Sequence, residues 1–158
     1  MPTTAAERAE VATIALTRIA SGEPFDEIRA WLQPVSDHEF PFPADVFIEL
    51  AADALAVAGA TRAHPMSLTD AYERHLPERP ISGNTAHQKS RAALLAAVAL
   101  HAGIVPDYGE IAGWWRLQDF DVRAYETCVT LIRVAAERTG QPVAAVCAQI
   151  AAARDLRV

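Results

Sequence analysis

The sequence predicts an all-α protein, a single domain folded as a compact irregular or orthogonal bundle of about eight helices. Ala is the commonest residue, at 33 of 158 positions, and it has the highest helix propensity. The ten prolines cluster and leave long Pro-free segments in which helices can run. No run of β-branched and aromatic residues alternates with a period of two for more than a few positions, so we predict no sheet.

Proline, glycine and capping residues divide the chain into these helices. We predict helices at 4–20, 24–32, 44–58, 67–76, 85–102, 107–117, 122–139 and 142–155. A length of 158 residues suits one hydrophobic core, and no repeat of fixed period is present, so residues 1–158 are assigned to one helical domain.

Side chains that cap free amide groups mark the predicted helix starts. Thr4 and Glu7 form a capping-box pattern, in which each side chain bonds the other residue's backbone amide. Asn84, Asp107 and Asp121 precede three later helices as predicted N-caps.

Glycines and apolar content mark the helix ends and the core. Gly59, Gly103 and Gly140 stand where three helices stop, because glycine adopts the left-handed cap conformation without strain. The three helices at 44–58, 85–102 and 122–139 are the predicted core, and 44–58 is the candidate central helix because apolar residues cover most of its circumference.

Charge and cysteine content limit the function classes. The net charge is −6, which gives no basic surface for nucleic acid or an anionic membrane. The charge is uneven: residues 1–79 carry 13 acids and 6 bases, and residues 80–158 carry 7 acids and 8 bases. Thirteen of the 14 basic residues are Arg, which we interpret as the codon bias of a GC-rich, bacterial genome.

The expected compartment is the cytoplasm. Cys128 and Cys147 lie 19 positions apart in apolar helical patterns, which is typical of buried thiols in a reducing environment. The N-terminal segment has acids where a signal peptide needs positive charge, and the longest apolar run is too short to span a bilayer.

Two adjacent tryptophans, Trp114 and Trp115, make residues 107–121 the first candidate site, which we call the tryptophan corner. Adjacent side chains on a helix point about 100° apart, so both cannot lie in the centre of one narrow apolar stripe. Three interpretations remain open: a packing joint between helices, an exposed partner surface, or a ligand cleft that includes Tyr108, Trp115 and Arg116.

A second candidate site is one face of the helix predicted at 85–102. Its positions, at helical spacing, are His87, Arg91, Leu94, Val98 and His101. This face either lines a pocket or carries structural histidines, one of them at the helix end. Because no His pair has zinc or di-iron spacing, we predict no metal site and no cofactor.

Asp45, Glu49 and Asp53 recur every fourth residue, and we call them the acidic stripe. Like charges at this spacing repel by about 0.2–0.5 kcal/mol per pair. We interpret the stripe as the solvated face of a mostly buried helix. The alternatives are a site for a hard metal, a site for a cationic ligand, or a partner surface for arginines of another helix.

The loop at 33–43 is the remaining candidate surface. Prolines hold His38, Glu39, Phe40 and Phe42, and rigid loops with aromatic and polar residues commonly present contact surfaces.

One further pattern is an array of four carboxylates, Glu7, Glu10, Glu23 and Asp26, with ExxE…ExxD spacing. It resembles the metal-binding signature of all-helical nucleoside triphosphate pyrophosphohydrolases of the MazG and dimeric dUTPase type. The resemblance implies two helices that present carboxylates to magnesium and a nucleotide substrate.

These observations favour a non-enzymatic protein-interaction or regulatory protein that self-associates as a homodimer or binds another protein. The alternative function is that of a small helical enzyme or ligand-binding protein, with a cleft lined by His, Arg and Trp that binds a small molecule. A magnesium-dependent hydrolase is a weaker alternative. The predicted binding residues are Trp114, Trp115, Arg116, Tyr108, His87, Arg91 and His101.

Overall fold

The computed structural model describes part of the chain. The described residues are 3–23, 31, 41–59, 84–110 and 120–158, with backbone only for 84–91. The helices with complete bounds are α1 (Ala5–Ala20), α2 (Ala44–Val57), α3 (Asn84–His101), α4 (Phe120–Thr139) and α5 (Val143–Ala153). A further helix begins at Tyr108.

The all-α class is confirmed, because these ranges contain helices and turns but no strand. The predicted count of eight helices is wrong for the described residues, which hold the five helices and the first turn at Tyr108. The predicted short helices at 24–32 and 67–76 lie outside them, apart from Trp31, whose backbone is helical. The single domain and the orthogonal packing stay predictions. In the described residues, no helix is both long enough and apolar enough to cross a bilayer.

Two helix starts have the predicted caps. The hydroxyl of Thr4 accepts a bond from the amide of Glu7 at 3.1 Å, and the amide of Thr4 donates to the Glu7 carboxylate at 3.2 Å. The Asp107 carboxylate accepts from the amide of Glu110 at 3.0 Å. The Asn84 and Asp121 caps are wrong, because α3 begins at Asn84 and α4 begins at Phe120. Both residues therefore lie in the first helical turn, where the helix dipole still favours an acid such as Asp121.

The end of α3 has the geometry of a Schellman motif. Gly103 has a φ of +85°, and the amide of Ile104 bonds the carbonyl of Ala99 at 2.9 Å. A similar bond ends α5, where the amide of Leu156 bonds the carbonyl of Ala151 at 2.8 Å. There the left-handed residue is Asp155, at a φ of 56°.

The core is centred on α4, with 14 of its 20 residues buried. The predicted central helix, α2, makes the most extensive contact with α4, and α3 packs against both, as the sequence predicts. α1 packs mainly on α5. Among the most deeply buried side chains are Leu16, Phe47, Phe120, Leu131 and Ile150.

Candidate interaction surfaces and the acidic stripe

The structure describes only two of the seven predicted binding side chains. Trp114, Trp115 and Arg116 lie outside the described residues. His87 and Arg91 lie within α3, but their side chains fall outside the description as well. His101 ends α3 and is exposed, and Tyr108 is partly buried against the core. The three interpretations of the tryptophan corner therefore stay predictions.

The predicted face of α3 does not form an open pocket in its second half. Leu94 is buried in the core, and Val98 is partly buried against it. This part of the face therefore packs inward, and of the described positions only His101, at the helix end, is exposed. The apolar residues in the middle of this face therefore form a contact with the core.

Two arginines from other helices bind the acidic stripe, so the solvated-face interpretation is wrong. Arg8 of α1 contacts Asp45 at 2.5 Å and Glu49 at 2.8 Å. Arg154, which caps the end of α5, bonds Asp53 through Nε and contacts Glu49 at 3.5 Å through Nη1. The stripe joins three helices, and the alternative of arginines from another helix is the correct one.

The electrostatics of the stripe agree with these contacts. Burial alone lowers the pKa of Arg154, but the hydrogen bond and the charge of Asp53 outweigh it, so the net pKa is raised. Arg8 behaves in the same way beside Asp45. Burial, followed by the charges of Asp45 and Glu49, raises the pKa of the Tyr108 phenol above its ordinary value. Tyr108 therefore lies within electrostatic range of the stripe and stays neutral.

An open groove of about 490 Å³ runs beside the stripe. Its polar lining comes from Glu49, Asp53, His101 and Arg154, and its apolar lining includes Leu100. A smaller cavity of about 200 Å³ borders the same Glu49–Arg154 contact on the side of α1. The groove can present a histidine, two carboxylates and a guanidinium, although both carboxylates already bind arginine.

A third surface combines large apolar side chains near the end of α3. Leu95 is 66% exposed, Ile104 is 60% exposed and Val105 is 80% exposed. Ala99 and Ala102 lie four and seven positions after Leu95, and therefore on the same side of the helix. These five residues are named the apolar strip. The sequence analysis missed this strip, although two adjacent β-branched residues in the six-residue connection 102–107 are a visible signal.

The expectation for the 33–43 loop is wrong at Phe42. This side chain is 3% exposed and belongs to the hydrophobic core, so it presents no contact surface. Phe42 lies in the turn that leads directly into α2, so its ring packs inward together with the apolar residues of that helix. His38, Glu39 and Phe40 lie outside the described residues.

Two carboxylates of the hydrolase-like array already have protein partners. Glu7 belongs to the capping box of α1, and both carboxylate oxygens of Glu23 accept from Arg18, at 2.5 and 2.6 Å. Asp26 lies outside the described residues. Within the described ranges, no three His, Cys, Asp or Glu side chains are grouped so that they could hold a metal ion.

Both cysteines are free thiols in the interior, as predicted. Burial raises the pKa of Cys128 well above its ordinary value, and it raises that of Cys147 to about 11. Both thiols are therefore protonated and unreactive at neutral pH.

Comparison with known proteins identifies no relative: no family model, no curated protein and no solved structure matches this chain.

Proposed function

We propose that this chain is a non-enzymatic protein-interaction module of the bacterial cytoplasm, and that it self-associates through the apolar strip. The observation that carries the proposal is the exposure of Leu95, Ile104 and Val105 together. Soluble monomers rarely expose clustered large apolar side chains unless the cluster has a partner. The free thiols Cys128 and Cys147 support the reducing compartment.

Backbone hydrogen bonds fix the connection at the end of the strip, which favours binding. The bond from Ile104 to Ala99 holds the connection against the end of α3, and Gly103 supplies the left-handed conformation that this bond needs. A surface that is already ordered loses less conformational entropy when it binds.

The order of large and small residues favours a second copy of this chain as the partner. Leu95 and Ala102 are seven positions apart, so a two-fold axis near the middle of this interval brings each leucine against an alanine of the other copy. Alanine lets two helices approach closely, and the leucine fills the space above it. The contact is self-complementary when the two α3 helices run antiparallel.

The test is the oligomeric state of the purified protein, measured by native mass spectrometry and sedimentation velocity. We expect a dimer of twice the 17.1 kDa chain mass. Leu95→Glu and Val105→Glu should each produce a folded monomer. Val158→Glu is the matched control, because Val158 is also an exposed valine (50%) but lies outside the strip.

If the wild-type protein is monomeric at about 100 μM, self-association is refuted as its function, because standard protein interfaces bind more tightly than this. Trp114→Ala and Trp115→Ala distinguish the two candidate surfaces. If these variants dissociate while Leu95→Glu stays dimeric, the interface belongs to the tryptophan corner and the strip is refuted.

Small-molecule binding in the groove is the second candidate function. The supporting observation is that His101, a predicted site residue, shares this groove with Glu49, Asp53 and Arg154. Native mass spectrometry of gently purified protein should then reveal a stoichiometric added mass that His101→Gln removes. An unmodified chain mass under those conditions rejects this candidate.

A further inference from the structure

A separate cavity of about 130 Å³ lies between the end of α1, the middle of α4 and the start of α5. Ile19, Val129 and Val143 provide apolar lining, and Tyr125 contributes an aromatic wall. The cavity is far from the apolar strip in sequence and shares no residue with it or with the groove.

One wall is fixed by a charged and aromatic cluster. Glu23 lines the cavity, and Arg18 binds both of its carboxylate oxygens. The Arg18 guanidinium also lies 5.4 Å from the ring centre of Trp31, which packs edge-on against Tyr125 with ring centres 5.4 Å apart. Each side chain holds the next, so the wall is preformed and the negative charge of Glu23 is already compensated.

Another lining residue carries a positive charge that no described residue compensates. Arg133 of α4 lines the cavity, is exposed, and forms no ion pair with any described residue. A guanidinium can bind a carboxylate through two parallel hydrogen bonds. Among its described lining residues, the cavity therefore combines apolar side chains with a cation, Arg133, that is available to a ligand.

We propose that this cavity binds a small monocarboxylate, with its hydrocarbon part against Val129 and Val143 and its carboxylate on Arg133. The volume sets the size of the ligand. A cavity of about 150 Å³ holds benzene, so 130 Å³ suits a hydrocarbon part of about four to six carbons. Compounds of this class are short aliphatic acids and benzoate.

Isothermal titration calorimetry with pentanoate, hexanoate and benzoate tests the site, with hexanol and hexylamine as probes of the head group. We expect at least one acid to bind in a 1:1 ratio with a Kd of about 1 mM or lower, given the size of these ligands. Hexanol should bind about tenfold more weakly than hexanoate, because it lacks the charge that pairs with Arg133.

Two variants and one control locate the binding. Arg133→Gln should lower the affinity for the acid about tenfold or more. Arg138→Gln should leave this affinity unchanged, because Arg138 is exposed on the same helix but does not line the cavity. Ala20→Leu should abolish binding by filling the cavity from α1. Amide chemical shifts that change around Tyr125 and Val143 would place the ligand there.

Three outcomes overturn the proposal. The first is that none of the acids shows saturable binding up to about 20 mM, which is far above the expected Kd. The second is that the wild type and Arg133→Gln bind the acids with equal affinity. The third is that the wild type binds hexanoate and hexylamine with equal affinity. None of them depends on the oligomeric state, so this inference and the proposed self-association are tested independently.

Discussion

Replacing Arg154 by Gln should destabilise the protein through the acidic stripe. Arg154 bonds Asp53 and contacts Glu49, and about a third of each of the three side chains is exposed. Solvent screens such pairs, so we expect about 0.5–1 kcal/mol from each contact and about 1–2 kcal/mol in total. With an m-value of about 2 kcal/mol per molar urea, the unfolding midpoint should fall by about 0.5–1 M.

A mutant cycle separates this charge effect from lost packing. In the Asp53→Asn, Glu49→Gln background, Arg154→Gln should cost less than about 0.5 kcal/mol, because no carboxylate remains for it to pair with. Arg157→Gln is the matched control and should cost less than about 0.5 kcal/mol, since Arg157 is exposed and forms no ion pair with the described residues. Urea unfolding followed by far-UV circular dichroism measures all of these free energies. An equal cost of Arg154→Gln in both backgrounds would refute the role of the ion pairs.

Three further perturbations test the caps and the buried thiols. Asp155→Gly should raise the free energy of unfolding by about 0.5–1 kcal/mol, because the left-handed φ of 56° strains Asp but not Gly; an unchanged or lower melting temperature contradicts this. Gly140→Ala should lower it by about 1 kcal/mol, and the cost is conformational because an added Cβ meets no atom within 4 Å. The wild type should lose stability between about pH 9 and pH 11. The Cys147 thiol ionises near pH 9 in the unfolded chain, whereas in the folded protein it keeps its proton up to a pKa of about 11, so rising pH favours the unfolded state. Urea titrations of the wild type and Cys147→Ala check the last prediction, and identical pH slopes of the two proteins would contradict it.

The features predicted correctly from the sequence are local. The capping box of Thr4 and Glu7 and the cap at Asp107 connect residues three positions apart, so the sequence alone contains the whole interaction. The stop at Gly103 is of the same kind. Helix starts and stops therefore follow from short-range chemistry.

The acidic stripe shows where this reasoning stops. Its repulsive spacing was visible, but Arg8 lies 37 positions from Asp45, and Arg154 lies 101 positions from Asp53. Only the packing of α1 and α5 against α2 brings these charges together. The spacing of the arginines in the sequence does not indicate that packing. The stripe was therefore interpreted as a solvated helix face, which was wrong.

The central position of α4 was underestimated for a different reason. Glu126, Thr127 and Thr130 interrupt its apolar pattern, yet each is buried, and Glu126 contacts Arg123 at 3.0 Å. A polar residue that finds a partner within the protein, as Glu126 does with Arg123, can be buried at little cost, whereas the Thr130 hydroxyl is buried without a hydrogen-bond partner among the described residues. Polar residues of both kinds hide a central helix from a pattern based on hydrophobicity.

The end of α3 can serve both candidate functions, because they use different sides of it. Leu95 and His101 are six positions apart, which at about 100° per residue separates their side chains by about 120° around the helix axis. Leu95 belongs to the apolar strip, while His101 borders the groove beside α2. A partner on the strip therefore leaves the groove open. Leu95→Glu should abolish association without changing any mass bound near His101, and a simultaneous loss of both would mean that the groove is completed by a second copy of the chain.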